Sequence, residues 1–297
     1  MGIAKLLEML RSTAYRIDIQ CNNTKVTIFS SSEKSLNYIK LLFYPEGVNG
    51  IQFVPTIKCS DWNIFSSILD QTSFELTLND ILKEFSFTKS IEPMKGSKYY
   101  CYQKGAISAF IFDEENLYAS PYYILKVESV LYAVAKTGKA DYRVAARLLR
   151  ELTYRIQINN YQICLHASAI KVDGFGVLFI GDSGVGKTTL GLYMCQMYGG
   201  KFLANDRVLI SRNIAEKTLI ASSFAYAVKL NRGTLVSLDK EQEYSKWNLF
   251  DGIPTDGSDW TEFNGNEKLY ILPGELKSTL GIDSISTTKI DFIVYPS

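Results

Sequence analysis

Near the middle of the chain a short apolar run, Gly176-Val177-Leu178-Phe179-Ile180, leads into Gly181-Asp182-Ser183-Gly184-Val185-Gly186-Lys187-Thr188, and a helix-forming stretch from Thr189 to Met197 follows. A glycine, four free positions, a second glycine, a lysine and a hydroxyl residue make a loop whose chemistry resides in its backbone. Gly184 and Gly186 permit positive φ and carry no side chain to obstruct an anion, so successive N–H groups can converge on phosphate oxygens. The helix that follows aims its positive end at the same point. The Lys187 ammonium then suits β- and γ-phosphates, the Thr188 hydroxyl suits Mg²⁺, and Thr189 extends the contact surface. A random chain of this length shows the bare pattern roughly one time in a hundred. Strand, loop and helix in the required order therefore point to a nucleoside triphosphate, ATP or GTP, and away from an idle glycine-rich turn.

The same segment limits the topology. Ile163 to Ile170 and Gly176 to Ile180 both read as strands, and Asp173-Gly174 between them is a strong hairpin signal. The strand entering the loop should thus have an antiparallel neighbour directly before it, which a doubly wound fold does not provide. Beyond the loop helix, a short apolar strand ends in Leu203-Ala204-Asn205-Asp206-Arg207. Asp206 could order Mg²⁺ or accept the proton of an attacking hydroxyl; the alternative is a turn carboxylate paired with Arg207. His166, the single histidine, lies on the strand whose hairpin partner feeds the loop, and its other reading is an interior histidine with satisfied hydrogen bonds.

The 297 residues suffice for two domains. Residues 1–11 read as an amphipathic helix, 14–30 as a hairpin turning at Asn22-Asn23, Ser35 to Phe43 as a helix, and Ile51 to Val54, Tyr99 to Tyr102 and Ala106 to Phe112 as strands. From Pro121 the apolar residues Ile124, Val127, Val130 and Leu131 suggest a helix, and a second runs from about Tyr142 to Gln157. On that second helix Arg143, Arg147 and Arg150 share a face, expected to be solvated with Glu151 paired to Arg155. These patterns predict an N-terminal α+β domain over 1–120 and the loop-bearing domain over 121–297. A polar stretch from Asp239 to Glu267, carrying Trp247, Trp260 and Phe263, reads as a functional or mobile loop.

With 32 basic and 31 acidic residues, no global field favours nucleic acid or an anionic membrane. No apolar run reaches the eighteen or so residues of a membrane span. Cys21, Cys59, Cys101, Cys164 and Cys195 are scattered without disulfide or zinc spacing, which fits reduced thiols in the cytoplasm.

Leu165-His166-Ala167-Ser168-Ala169, the Asp173-Gly174 hairpin, the loop from Gly181 to Thr188, and Ala204-Asn205-Asp206-Arg207 together resemble the catalytic domain of HPr kinase/phosphorylase and its relatives, a superfamily related to phosphoenolpyruvate carboxykinase. The resemblance covers roughly residues 140 to 235. It implies an α/β fold of α+β character: a small N-terminal α+β domain for substrate or partner, then a P-loop kinase domain with a mixed sheet of the HPr kinase type. It places the general acid/base on Asp206, the active-site histidine on His166, the phosphate-binding lysine on Lys187 and magnesium on Thr188 with Asp206. That family shows two adjacent aspartates where this chain has Asn205-Asp206, and its downstream glycine-rich segment, which accompanies phosphorylase activity and HPr recognition, is not found here. The implied function is a Mg²⁺-dependent kinase moving the γ-phosphoryl group to a serine-like hydroxyl of a protein or peptide, ribosomally made peptide precursors included. Lys229, Arg232 and Lys268 are candidates to stabilise the transferring group, and a homo-oligomer is carried by analogy alone. A nucleotide hydrolase or switch, and a non-catalytic nucleotide- and peptide-binding module, remain open.

Overall fold

The computed structural model describes residues 3–44, 51–92, 98–113, 120–138, 140–158, 163–250 and 268–296. The chain divides into two compact units, Met1–Ile39 with Gln52–Thr153, and Lys40–Ile51 with Tyr154–Ser297.

The first unit opens with helix α1 (Ile3–Arg11) and the hairpin β1 (Tyr15–Cys21) and β2 (Thr24–Ser30), where Asn22 takes the positive φ of the tight turn. Helix α2 (Glu33–Leu42), β3 (Ile51–Val54), β4 (Trp62–Leu69) and α3 (Gln71–Glu84) follow. Next come β5 (Ser86–Ile91), β6 (Tyr99–Lys104), β7 (Ile107–Phe112), β8 (Tyr122–Val127), β9 (Val130–Lys136) and α4 (Arg143–Ile158). Strands β1 to β9 make one nine-stranded sheet in the order β3-β1-β2-β4-β9-β8-β7-β6-β5. On one face Tyr123, Leu125, Tyr132 and Val134 pack with Leu6 and Leu10 of α1 and Phe74 and Ile81 of α3. On the other, Tyr122, Ala133 and Ala135 pack with Val144 of α4.

That double burial corrects the helix expected from Pro121. A strand covered on both faces reads as a continuous apolar run, and Ile124, Val127, Val130 and Leu131 match helical spacing only because the hairpin turn at Glu128, φ 51°, falls between them. Because β8 and β9 pair inside this sheet, a division at residue 120 would cut through it. The arginine face of α4 also differs from expectation. Arg147 lies over the rings of Tyr99, Phe112 and Tyr122, and Glu151 stands 3.9 Å from Arg150, not paired with Arg155.

The second unit contains β10 (Ile163–Leu165), β11 (Ala167–Val172), β12 (Phe175–Ile180), α5 (Lys187–Tyr198), β13 (Lys201–Ala204), β14 (Val208–Asn213) and β15 (Thr218–Ser223). It continues through β16 (Val228–Leu230), α6 (Arg232–Ser237), β17 (Leu269–Ile271), α7 (Leu276–Leu280), β18 (Asp283–Ser284), β19 (Thr287–Lys289) and β20 (Phe292–Val294). A five-stranded mixed sheet, β18-β13-β11-β12-β20, is the centre of this unit. Alternation assigns its faces: Ile170, Val177, Phe179 and Phe202 pack with Leu192 and Cys195 of α5, while Ala167, Ala169 and Leu178 pack with Val208, Ile210 and Ala221 of a four-stranded sheet, β10-β14-β15-β19. The single strand expected over 163–170 is broken at His166, with β10 serving one sheet and β11 the other. The antiparallel hairpin before the loop is present, and Asp173 and Gly174 both have positive φ. Of the expected functional loop, Trp247 closes a short 3₁₀ turn at Tyr244–Lys246, whereas Trp260 and Phe263 lie outside the described residues.

Candidate functional site

The strand register brings the three sequence segments to one edge. Ala167 pairs with Ile180, and Ala169 with Ala204, so the start of β11 lies beside the ends of β12 and β13. His166 precedes that start, and the glycine loop and Asn205-Asp206 follow those ends.

Within the loop Gly184 and Gly186 have φ of 89° and 87°, and a Cβ at either would meet nothing within 4 Å. The concavity is therefore open, and its glycines hold a conformation that other residues resist. No side chain caps the N-terminus of α5, leaving the first-turn amides to a ligand. Lys187 is buried, and its ammonium donates to the carbonyls of Gly181 at 2.8 Å and Asp182 at 2.7 Å. Asp182, Ser183 and Gly184 are exposed, while Val185 and Thr188 are partly buried. The helix is set close to the sheet at Gly191, where a Cβ would lie 3.2 Å from Ser168 Oγ. Thr189 Oγ1 shares a hydrogen bond of 2.7 Å with Thr234 Oγ1, and Asn231 accepts from the Thr234 amide as the N-cap of α6.

Asp206 sits at φ 65°, directly after Asn205, whose side chain is enclosed. One of its oxygens lies 3.2 Å from His166 Nε2 and the other 3.7 Å from Lys229 Nζ. Lys229 also donates to the Tyr226 hydroxyl at 3.1 Å and lies over the Tyr226 and Tyr270 rings. All three side chains are partly exposed, at 55%, 30% and 27% for His166, Asp206 and Lys229. Each pair is accordingly worth no more than about 1 kcal/mol of stability, so fold maintenance does not explain the cluster. Burial pushes the nearby Cys164 thiol up, partly opposed by Arg207, which argues against a nucleophilic thiolate.

The structure brings Lys229 to Asp206, whereas Arg232 is paired with Glu241 and Lys268 is exposed just before β17. Tyr226 and Tyr270 escaped the sequence reading. Tyr226 could have been noticed three residues before Lys229, but Tyr270 reaches the lysine through the β16–β17 register, which no local pattern encodes. Among the described residues no three His, Cys, Asp or Glu side chains gather as a metal site. The hydroxyl of Thr188 and the carboxylate of Asp206 are hard oxygen donors, the type Mg²⁺ takes together with phosphate oxygens.

Fold and edge define the class: a mixed-sheet α/β protein built around a glycine-rich loop with an acid–histidine–lysine cluster beside it. Comparison with known proteins narrows this. The HPr kinase/phosphorylase of Listeria monocytogenes serotype 4a (strain HCC23) is 32% identical over 152 residues, 48% of this chain and 44% of that protein. The HPr kinase/phosphorylase of Chlorobium phaeobacteroides (strain BS1) is 44% identical over 57 residues, 19% of this chain and 16% of the relative. This chain is thus similar to an HPr kinase-like family, and the matches span less than half the length of these curated relatives. No family model matches the chain. The HPr(Ser) kinase/phosphatase of Coxiella burnetii covers 45% of this chain and 58% of its own at 14% identity, with a TM-score of 0.26 that is too low to define the fold. Among the described residues no helix is long and apolar enough to cross a membrane.

Proposed function

We propose that this protein is a kinase that transfers the γ-phosphoryl group of ATP, or GTP, to a serine-like hydroxyl of a protein or peptide. The observation that supports it best is the Asp206 carboxylate, held between His166 at 3.2 Å and Lys229 at 3.7 Å on the sheet edge that also launches the glycine loop. Phosphate entering the loop meets the first amides of α5, and Lys187 exchanges the carbonyls of Gly181 and Asp182 for phosphate oxygens. Asp206 takes the proton of the acceptor hydroxyl as the new O–P bond forms and the bond to the β-phosphate oxygen breaks, releasing the nucleoside diphosphate. His166 orients Asp206. Mg²⁺, for which Thr188 and Asp206 are the candidate holders, would neutralise phosphate charge when bound. Positioning and fixed charge, rather than covalent catalysis, supply the acceleration.

The first unit is proposed to recognise the acceptor. HPr, named in the relatives, and ribosomally made peptide precursors are the acceptors to try. A reducing cytoplasm, in which scattered cysteines stay as thiols, is the proposed compartment.

Incubation with γ-labelled ATP and these acceptors should label one of them. Asp206→Asn should lower the rate by about 10²- to 10⁴-fold while leaving nucleotide affinity within a small factor, and Lys187→Ala should lose nucleotide binding. Labelling undiminished in Asp206→Asn would eliminate the proposed base. Phosphate release that needs no acceptor would select a hydrolase instead.

A further inference from the structure

The short ribbon of β16 and β17 carries a lysine among core residues. Val228, Leu230, Leu269 and Ile271 are buried in the cluster that includes Leu192 of α5, so alternation turns Lys229 and its register partner Tyr270 to the opposite face. There Lys229 Nζ stands 3.7 Å from the Asp206 carboxylate. A lysine that served only to neutralise Asp206 would close to the distance of a charge-assisted hydrogen bond, about 2.7–2.9 Å. The hydrogen bond of Lys229 goes instead to the Tyr226 hydroxyl, at 3.1 Å. Its ammonium also lies 4.6 Å from the Tyr226 ring centroid and 6.0 Å from that of Tyr270, within reach of the attraction between a cation and a ring face.

A free lysine samples many rotamers, and ordering it is costly. Here two tyrosines restrain it before any ligand arrives. An ammonium has three donors, and the Tyr226 hydroxyl takes one, which leaves capacity for Asp206 and for a further anionic oxygen. An acceptor oxygen within hydrogen-bond reach of Asp206 brings the attacked phosphorus, and the oxygens on it, within a few ångströms of the same carboxylate and so of Lys229. Once Asp206 has taken the acceptor's proton it is neutral and no longer attracts the ammonium, while negative charge spreads over the oxygens of the transferring group.

We propose that Lys229 is a catalytic residue, handed from Asp206 to the transferring phosphoryl group as the proton reaches Asp206, and that Tyr226 and Tyr270 are positioning residues that hold it for this exchange. The acceptor hydroxyl gives its proton to Asp206, its oxygen bonds to the γ-phosphorus, and the bond to the β-phosphate oxygen breaks, its electron pair leaving on the nucleoside diphosphate. Lys229 keeps all its protons. The catalytic role rests on the kinase reading given above. The tyrosine clamp does not.

Three measurements on the full chain test it. In NMR spectra of protein carrying isotope-labelled lysine, the ε-methylene protons of Lys229, identified by their loss in Lys229→Met, should resonate upfield of those of exposed lysines. Tyr226→Leu and Tyr270→Leu should each move them back, because each removes a ring. By calorimetry with Mg²⁺, ADP with aluminium fluoride, a mimic of the transferring group, should bind Lys229→Met about 10²-fold more weakly than the parent, with ATP affinity within about threefold. In the transfer assay kcat should fall about 10²- to 10³-fold in Lys229→Met at nearly constant nucleotide KM. It should fall about two- to fivefold in Tyr270→Leu, and Tyr270→Phe, which keeps the ring, should recover the parent value. Lys229→Gln serves if Lys229→Met fails to fold. Ordinary lysine shifts that neither tyrosine variant moves overturn the clamp. Equal weakening of ATP and the mimic, or no weakening of either, overturns the catalytic role. If the parent binds the mimic through Lys229 yet labels no acceptor, the kinase reading falls and the contact of Lys229 with the phosphoryl group stands. If it binds neither ATP nor the mimic, both fall, and the NMR shifts still decide the clamp.

Discussion

Asp206 combines the proposed chemistry and the backbone strain of the candidate site in one residue. Its left-handed backbone, φ 65°, is a conformation that a Cβ disfavours by about 1–2 kcal/mol. Comparing Asp206→Ala with Asp206→Gly isolates that strain, because both variants lose the same contacts to His166 and Lys229. In an ordinary extended or helical position glycine would be the less stable of the two, by about 0.5–1 kcal/mol. Here the order should invert, with Asp206→Gly about 1 kcal/mol more stable than Asp206→Ala. Urea midpoints at unchanged m-value check this, and equal midpoints would show the turn to be unstrained. The residues legible in sequence were those whose role is local. Gly184, Gly186 and Lys187 declare themselves because the nest is built from consecutive amides, and Asp206 because it ends a strand. Tyr270 was silent, since it reaches Lys229 only through the pairing of β16 with β17, forty or so residues apart in the chain.

Among the elements, β12 shows how a glycine in a strand can be decided by tertiary packing. A Cβ on Gly176 would lie 1.8 Å from the backbone carbonyl oxygen of Lys289, a distance no side chain shift can relieve. Gly176 also exchanges two hydrogen bonds with Asp291: its amide donates to the Asp291 carboxylate at 2.9 Å, and the Asp291 amide donates to its carbonyl at 2.8 Å. Gly176→Ala should therefore cost about 1–3 kcal/mol or more by overpacking and expose the amides of β20 to hydrogen exchange, although alanine is the better residue in most strands. Wild-type midpoint and protection would refute the close approach. A second element-level test lies in α6, where Asn231→Ala removes the cap of Thr234 and should cost about 1 kcal/mol in thermal or urea unfolding. Local patterns sufficed for α1, α5 and both hairpins, whose periodicity and turn residues are unambiguous. They failed at β8 and β9, where Tyr122 and Tyr123 are both buried because helices cover the two faces of the sheet. Period alone does not distinguish such a strand from a buried helix.

For the molecule as a whole, composition announced a folded chain, but the partners of its sheets are non-local: β4 pairs in parallel with both β2 and β9, and β12 in parallel with β20. Those pairings determine which titratable groups are buried, and burial has a consequence for stability in alkali. In the second unit, burial pushes the Cys195 thiol up to about 12; in the first, burial raises the Tyr122 and Tyr123 phenols well above the ordinary tyrosine range. A raised pKa means that the folded state keeps a proton which the unfolded chain has given up. Below about pH 8.5 both states of the Cys195 thiol are neutral and it has no effect on the balance. Between there and about 12 only the unfolded chain ionises, so stability falls with rising pH by as much as about 1.4 kcal/mol per pH unit for this one group. The tyrosines add their own losses only above about pH 10. Cys195→Ala should start about 1 kcal/mol less stable at pH 8 because a packed sulfur is gone. Its urea midpoint should then decline more gently than that of the parent between pH 9 and 10, so that the two curves converge. Parallel curves across that interval would mean that Cys195 ionises as freely in the folded protein as in the unfolded chain, and would contradict its enclosure between α5 and the central sheet.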